Sequence, residues 1–332
     1  MNSRSAEISI DRLRFGDEAQ WQQLVATSPN ATLFHDLEFL RYHPADRFRF
    51  QHLMVRRDGK TIAALPGGLV GDPAHPVFTS PVGASVGGPA LTQPGVRAAI
   101  VGDIVAALQD HARRERWAGI EITLPPAIYH PDVGELVSFA LFAAGFRLAH
   151  RWLSHILPLI PGDTECFERT FLKREIGPVR AARRRDVQVV ECGLDGLDRF
   201  LRVFDDTYAR HGVTATHSAA EIADLLARLP DRVRIHLALL ADIPIGGLLV
   251  FRLTRRVATT FYICSSTEHV AEHGAVAAIA DLMTRLCADG FSHLDLGPSA
   301  SDLNFNSGLV FFKEGLGAAG HCRDRWRWDT GA

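Results

Sequence analysis

Residues 294–318 read LDLGPSASDLNFNSGLVFFKEGLGA, and one lysine, Lys313, stands there behind two phenylalanines. An ammonium on a largely apolar helix, shortly after a strand end, has two uses. It presents a charge into a cleft, or its stem packs while the head snorkels to water. Asp295 closes the preceding strand-like run, a place where sheet-based sites often sit. The same carboxylate can instead cap the loop that follows. Four arginines, Arg180, Arg183, Arg184 and Arg185, crowd a second stretch. Guanidinium forks match the phosphate oxygens of a donor or an RNA end, and a solvated helix face accounts for the same cluster.

Two further patterns imitate known chemistry. His269-Val270-Ala271-Glu272-His273 has the H-x-x-E-H order in which two histidines on one helix face share a zinc ion. These five residues lie between a strand and a helix opening near Gly274, so they read as a loop and no metal site is expected. Gly83-Ala84-Ser85-Val86-Gly87 has the G-x-S-x-G order of a nucleophile elbow. That elbow needs a helix after it, and GGPALTQPG cannot open one. A Gly-rich loop near a binding cleft fits better. No G-x-G-x-x-G follows a strand, and no G-x-x-x-x-G-K-[ST] P-loop occurs, so nucleotide-phosphate chemistry of those kinds is not supported.

The elements that must position these residues follow from periodicity and turn signals. The second half opens with a basic helix, FLKREIGPVRAARRRD, expected to break near Gly177-Pro178. Strand DVQVVE and helix LDRFLRVFDDTYARHG follow. Ser218 and Glu221 form a capping box before a helix that Pro230 ends. Three strands joined by short turns should pair antiparallel over 235–241, 248–253 and 257–264. A helix over 275–288, a strand over 292–297, the Lys313 helix with Asp302 as its N-cap, and a tail strand near HCRDRWRWD complete this half. The first half has a looser version of the same order. It contains a hairpin turning at Asp58-Gly59, the long loop PVFTSPVGASVGGPALTQPG, a helix from Val96 to Trp117, the strand GIEITLP, a helix ending at Gly145, and the strand WLSHILPLI. Pro161-Gly162-Asp163 breaks the pattern, which divides the chain into 1–160 and 161–332.

Composition bounds the function. A chain of 332 residues, 47% hydrophobic and 22% charged, can bury a large core. A net charge of −2 provides no global basic field for DNA or other long nucleic acid. The five cysteines are far apart and form no CxxC pair, which suits a reducing compartment. No apolar run approaches the ~20 residues of a membrane span, and MNSRSAEISIDRL lacks the apolar stretch of a signal peptide. A cytoplasmic protein is expected.

Several segments, in this order and spacing, resemble the Fem family of GNAT-like proteins: ALPGGLV…SPVGASVGGPAL, TYARHG, TTFYICSS before a helix, and GFSHLDLGPSASDLNFNSGLVFFKEGLGA. That family contains the aminoacyl-tRNA-dependent transferases that build peptidoglycan cross-bridges. The resemblance spans most of the chain. It implies an α/β (α+β) fold of two tandem GNAT-like domains, each a mixed, mostly antiparallel twisted sheet flanked by helices, with the strand at 292–297 splayed from its neighbour. It places Phe312 and Lys313 at the reacting ester, Arg210 of Thr207-Tyr208-Ala209-Arg210 on an acceptor phosphate, and Tyr262 on the substrate side. The chain departs from acetyl-CoA-binding GNAT enzymes in one respect. Where they carry R/Q-x-x-G-x-G/A, EHVAEHGAVA offers a single glycine and so fewer exposed N–H groups for a pyrophosphate.

The implied activity is N-acyl transfer from an aminoacyl-tRNA or an acyl-CoA co-substrate to a small-molecule or peptide amine. Lys313 would stabilise charge at the reacting carbonyl and Asp295 would act as base. Arg210, Tyr262 and Phe312 would hold substrate, and Arg180, Arg183 and Arg184 would hold the donor or a tRNA acceptor end. No tightly bound cofactor is expected. The alternative is a non-catalytic GNAT-like module that binds a ligand or partner.

Overall fold

The computed structural model describes residues 7–212, 214–302 and 304–331. In chain order the elements are β1 (Ile8–Arg12), α1 (Glu18–Thr27), α2 (Leu37–Leu40), β2 (Arg49–Phe50), β3 (Leu53–Arg57), β4 (Lys60–Leu65), β5 (Gly68–Val70), β6 (Val77–Ser80), β7 (Ala90–Leu91), α3 (Ala98–Arg114), β8 (Gly119–Thr123), α4 (Leu136–Ala143) and β9 (Arg147–Pro158). They continue with α5 (Cys166–Thr170), α6 (Lys173–Arg184), β10 (Gln188–Cys192), α7 (Leu197–His211), α8 (Ala219–Arg228), β11 (Val233–Leu240), β12 (Ile243–Arg252), β13 (Val257–Ser265), α9 (Gly274–Ala288), β14 (His293–Ser301), β15 (Asn304–Phe305), α10 (Ser307–Gly315) and β16 (Ala319–Asp329). By packing, residues 7–152 and 322–331 form one unit and residues 153–321 a second. The sequence suggests a boundary at residue 161; the packing division falls earlier, within β9, and gives the end of β16 to the first unit.

The first unit contains two sheets. One has the order β1-β3-β4-β7, and the other runs β16-β8-β6-β5-β2. The β3–β4 hairpin turns at Asp58 and Gly59, with φ of 47° and 76°, the left-handed pair that a two-residue turn needs. Pro66 and Gly67 then separate β4 from β5. Pro66 has no N–H to extend the first ladder, so the chain crosses to the second sheet there. This is why the unit has two sheets where the resemblance implies one. From β6 the chain passes through β7 in the other sheet and then α3 to reach β8, which pairs with β6 in parallel. The α3 face carrying Val101, Ile104, Leu108 and Ala112 is buried in the core with Phe78 and Trp117.

In the second unit the order is β10-β11-β12-β13-β14, followed by the latter part of β9. β11, β12 and β13 form the expected antiparallel meander. β12 is buried along most of its length, as a strand covered on both faces must be. α7 covers one face and α9 the other, and α9 carries the chain from β13 to a parallel β14. The first unit makes a similar parallel crossover from β6 to β8, with β7 as well as α3 in the connection. The Ser218–Glu221 capping box forms and opens α8.

Two local expectations are corrected. α6 runs unbroken from Lys173 to Arg184 with Pro178 inside it. Gly177 has no Cβ to meet the proline ring, which removes the usual objection to a helical residue before proline. α10 is capped by Asn306, whose side chain accepts from the Leu309 amide at 3.0 Å, and not by Asp302. The short β14–β15 pairing joins Ala300 to Phe305 and Ser301 to Asn304, so the helix begins later than the sequence suggests.

Candidate active site

The parallel pairing of β13 with β14 covers three positions, Val257↔His293 to Thr259↔Asp295. Past them β13 continues to Ser265 and β14 to Ser301, so the two strands part, as the resemblance implies. Gly297, at φ +79°, turns β14 two residues beyond the last pair. A register shift in β13 opposite Leu249 and Val250 adds a bulge at the same level.

A cavity of about 890 Å3 opens beside the free end of β13. α7 contributes Thr207, Tyr208 and Arg210 to its lining, β13 contributes Ile263 and Ser265, and α10 contributes Leu309 and Phe312. The segment before α9 adds His269, Val270 and His273, and the start of α9 forms a further wall, where Gly274, Ala275 and Val276 all line the cavity. The first amides of a helix have no acceptor within it, so this wall presents N–H donors and the positive end of the helix dipole.

Two glycines seat that helix end. A Cβ on Gly246 of β12 would come 2.5 Å from the Gly274 carbonyl carbon and 2.6 Å from the Ala275 nitrogen. A Cβ on Gly274 would come 2.8 Å from the Ile245 backbone. Helix start and strand backbone therefore touch directly. The signal was visible in PIGGLLVF, since glycine inside an apolar strand marks a close backbone approach.

The segment between β13 and α9 is pinned from two sides. The Asp206 carboxylate accepts from the Thr267 amide at 2.6 Å and from its hydroxyl at 2.7 Å, and these bonds hold its pKa below the usual carboxylate range. Arg210 donates to the Ser265 hydroxyl at 3.2 Å. Just past the end of α6, Arg185 donates to the Ala271 carbonyl at 2.6 Å and lies 3.5 Å from Glu272. Residues 270–272 make one turn of 3-10 helix and His273 sits at φ +55°. The H-x-x-E-H stretch thus has no α-helical face on which His269 and His273 could align. Among the described residues no group of three or more His, Cys, Asp or Glu is arranged to hold a metal.

A helix N-terminus thus faces a cavity beside two parting parallel strands, and residues 168–305 match the Acetyltransferase (GNAT) domain family. The second unit contains a GNAT domain. The chain also resembles the solved structure of FemX, with 14% identity over 97% of each chain and a TM-score of 0.75. It resembles a tandem GNAT protein from the clavulanic acid biosynthesis pathway, with 14% identity over 98% of this chain and 99% of that one, at a TM-score of 0.53. For L-PGS from Bacillus licheniformis the values are 12% identity, 93% and 90% coverage, and a TM-score of 0.59. At such identities the likeness is one of fold. No curated protein sequence matches this one. The Fem-like, tandem GNAT architecture read from the sequence stands as a fold, and residues 168–305 carry the match to the acetyltransferase domain family.

Within the second unit the expected site residues divide into groups. Arg210 and Phe312 line the cavity. Tyr262 is buried beside it, edge-on to the lining residue Tyr208, with its hydroxyl 2.8 Å from His217 Nδ1 and accepting the His217 amide at 3.1 Å. Burial pushes the Tyr262 phenol up to about 12. Lys313 does not snorkel: it is 3% exposed, and its Nζ donates to the carbonyls of Gly297 at 2.8 Å and Pro298 at 3.2 Å. Asp295 is fully buried and accepts from the Gly297 amide at 2.6 Å. The ammonium and the carboxylate therefore both hold the bend of β14. Beside them His155 of β9, also buried, lies 3.0 Å from the Ser299 hydroxyl, and burial followed by the nearby Lys313 charge lowers its pKa. Sequence reasoning missed His155, and no sequence signal marks it. Arg180 pairs with Glu168, Arg183 lies over the Phe167 ring, and Arg184 is exposed; none of the three lines the cavity.

Proposed function

We propose that this protein is an N-acyltransferase whose donor is a thioester on a phosphopantetheine arm, with acyl-CoA the simplest carrier. The observation that supports it is the cavity joining the start of α9 to the free end of β13. A donor phosphate at Gly274–Val276 faces N–H groups and the helix dipole, and Arg210 adds a guanidinium to the same cavity. The arm then runs along β13, whose edge towards β14 has lost its ladder partner and offers amide groups to an extended chain. Ile263, Val276, Leu309 and Phe312 exclude water around it.

The reaction is attack of a neutral amine on the acyl carbon. A C–N bond forms, the C–S bond breaks, and the proton lost by the amine ends on the departing thiolate, directly or through water. The Lys313 ammonium lies behind the β14 wall of the wedge and lowers the energy of negative charge developing there. It also fixes the bend of that wall through Gly297 and Pro298. In this reading Asp295 acts by shaping the same bend. An aminoacyl ester on tRNA is the second reading, favoured by the exposed arginines of α6.

Titration calorimetry with acetyl-CoA and CoA, together with a thiol-release assay across a panel of amines, tests the proposal. Micromolar binding weakened by Arg210→Lys, which loses the guanidinium fork, supports it. Absence of binding to either thioester carrier or free CoA refutes it. Among the described residues no helix is long and apolar enough to cross a membrane, so the test runs without detergent.

A further inference from the structure

The surroundings of the cavity narrow the form in which the donor arrives. α6 spans the two segments that carry the cavity walls. At its start, Arg174 donates to the Phe311 carbonyl at 3.2 Å and lies 4.0 Å over the Phe311 ring, next to the lining residue Phe312. At its end, Arg185 holds the 270–272 turn. Between them Val179 and Ala182 are buried, while Lys173, Arg180, Arg183 and Arg184 are exposed. The helix thus shows solvent a one-sided basic face about 18 Å long, from 12 residues at ~1.5 Å each. Large apolar side chains stand out beside the cavity as well: Val270 in its lining is 57% exposed, and Phe305 and Phe311, each next to a lining residue, are 62% and 61% exposed.

CoA accounts poorly for this arrangement. Its pyrophosphate asks for more backbone donors than the three amides of Gly274, Ala275 and Val276, and EHVAEHGAVA lacks the glycines that would expose others. A single phosphodiester suits three amides and one guanidinium. A basic helix face flanked by exposed apolar side chains suits an acidic helix with an apolar centre. Nucleic acid would extend its phosphates well beyond one helix, and a chain of net charge −2 offers no broader basic field for it.

The geometry points to an acidic acyl carrier protein as the donor: its helix docks on the exposed face of α6, and its 4′-phosphopantetheine thioester enters the cavity between α9 and α10. This inference rests on the thioester reading above and specifies the carrier. The acyl group passes from the arm's sulfur to the acceptor nitrogen, and the carrier leaves with a free thiol that retains the proton the amine loses.

Fluorescence anisotropy with a labelled, acetyl-loaded acyl carrier protein tests it, alongside the same carrier without its arm, CoA, and an RNA minihelix ending in CCA. The loaded carrier should bind at least tenfold more tightly than CoA, and less tightly as salt rises from 50 to 200 mM. A Lys173→Glu/Arg184→Glu protein should lose at least tenfold in carrier affinity while binding CoA as the parent does, since neither residue lines the cavity. CoA binding with no advantage for the carrier, or a carrier affinity indifferent to the double substitution, overturns the inference and leaves the thioester reading in place. Failure of both CoA and the loaded carrier to bind removes the reading and the inference together. Binding of the minihelix through α6 in place of the carrier overturns the inference in favour of RNA.

Discussion

Replacing Gly246 with alanine should disable donor binding, although Gly246 does not itself line the cavity. The new Cβ would sit 2.5 Å from the Gly274 carbonyl carbon, against ordinary contact from about 3.4 Å, so the start of α9 must retreat by about 0.9 Å. β12 is central in its sheet and cannot yield instead. A retreat of this size lengthens a ~2.9 Å N–H···O bond to ~3.8 Å, outside hydrogen-bond range. Losing one charge-assisted bond from Gly274–Val276 costs about 1.5–3 kcal/mol, roughly a ten- to hundredfold rise in the dissociation constant. Calorimetric titration with acetyl-CoA measures this, with urea unfolding in parallel. Gly247→Ala is the control, because its Cβ points to the other face, at Phe200 (2.9 Å) and Val203 (3.2 Å) of α7. It should reduce stability and leave donor affinity nearly unchanged. A folded Gly246→Ala protein that binds donor like the parent, or an equal loss of affinity in Gly247→Ala, would refute the argument that a touching helix and strand set the site.

Lys313→Met should lower stability by about 2–4 kcal/mol in urea unfolding, because two buried carbonyls lose their donor; a variant as stable as the parent would mean that the ammonium lies in solvent. Asp206→Ala should weaken donor binding more than it lowers the unfolding midpoint, since the carboxylate pins the Thr267 segment at an exposed site; the comparison of the two losses checks it. Burial holds His35 at about 4 and His130 at about 3, below the ordinary 6.5. Unfolding therefore takes up protons below pH 6.5, and stability present at neutral pH declines as the pH falls towards 4. Each histidine should contribute about 2 kcal/mol of that loss by pH 5, and His130→Leu should shrink the difference between pH 7.5 and pH 5 by that amount.

Much of the second unit was legible because its signals are local. The meander of β11 to β13, the Ser218 cap and the run from β14 to α10 each follow from turn residues and short-range periodicity. The parting of β13 and β14 came from resemblance alone, since nothing in VATTFYICSS or SHLDLG announces that pairing stops after three residues. The placement of Lys313 was legible only as a choice between cleft and solvent. Its actual partners are carbonyls fifteen and sixteen residues away, exposed by a turn at Gly297 that tertiary packing fixes. α6 was misread because the residue before Pro178 was given the restriction of an ordinary side chain, and glycine has none. The division of the first unit into two sheets lay in Pro66-Gly67, which reads equally well as a turn within one.

The end of β16 closes the first unit's second sheet: Arg325–Asp329 pair with Gly119–Thr123 on the side of β8 away from β6. During synthesis those partners emerge about two hundred residues apart, at 5–20 residues per second a wait of roughly 10–40 s. Throughout that interval the nascent chain carries an apolar strand, GIEIT, with one unpaired edge, while the whole span from 153 to 321 is still being made. An open edge of that kind recruits stray strands. Expression yield should therefore depend on the speed of translation and the supply of chaperones more than the stability of the finished molecule would suggest.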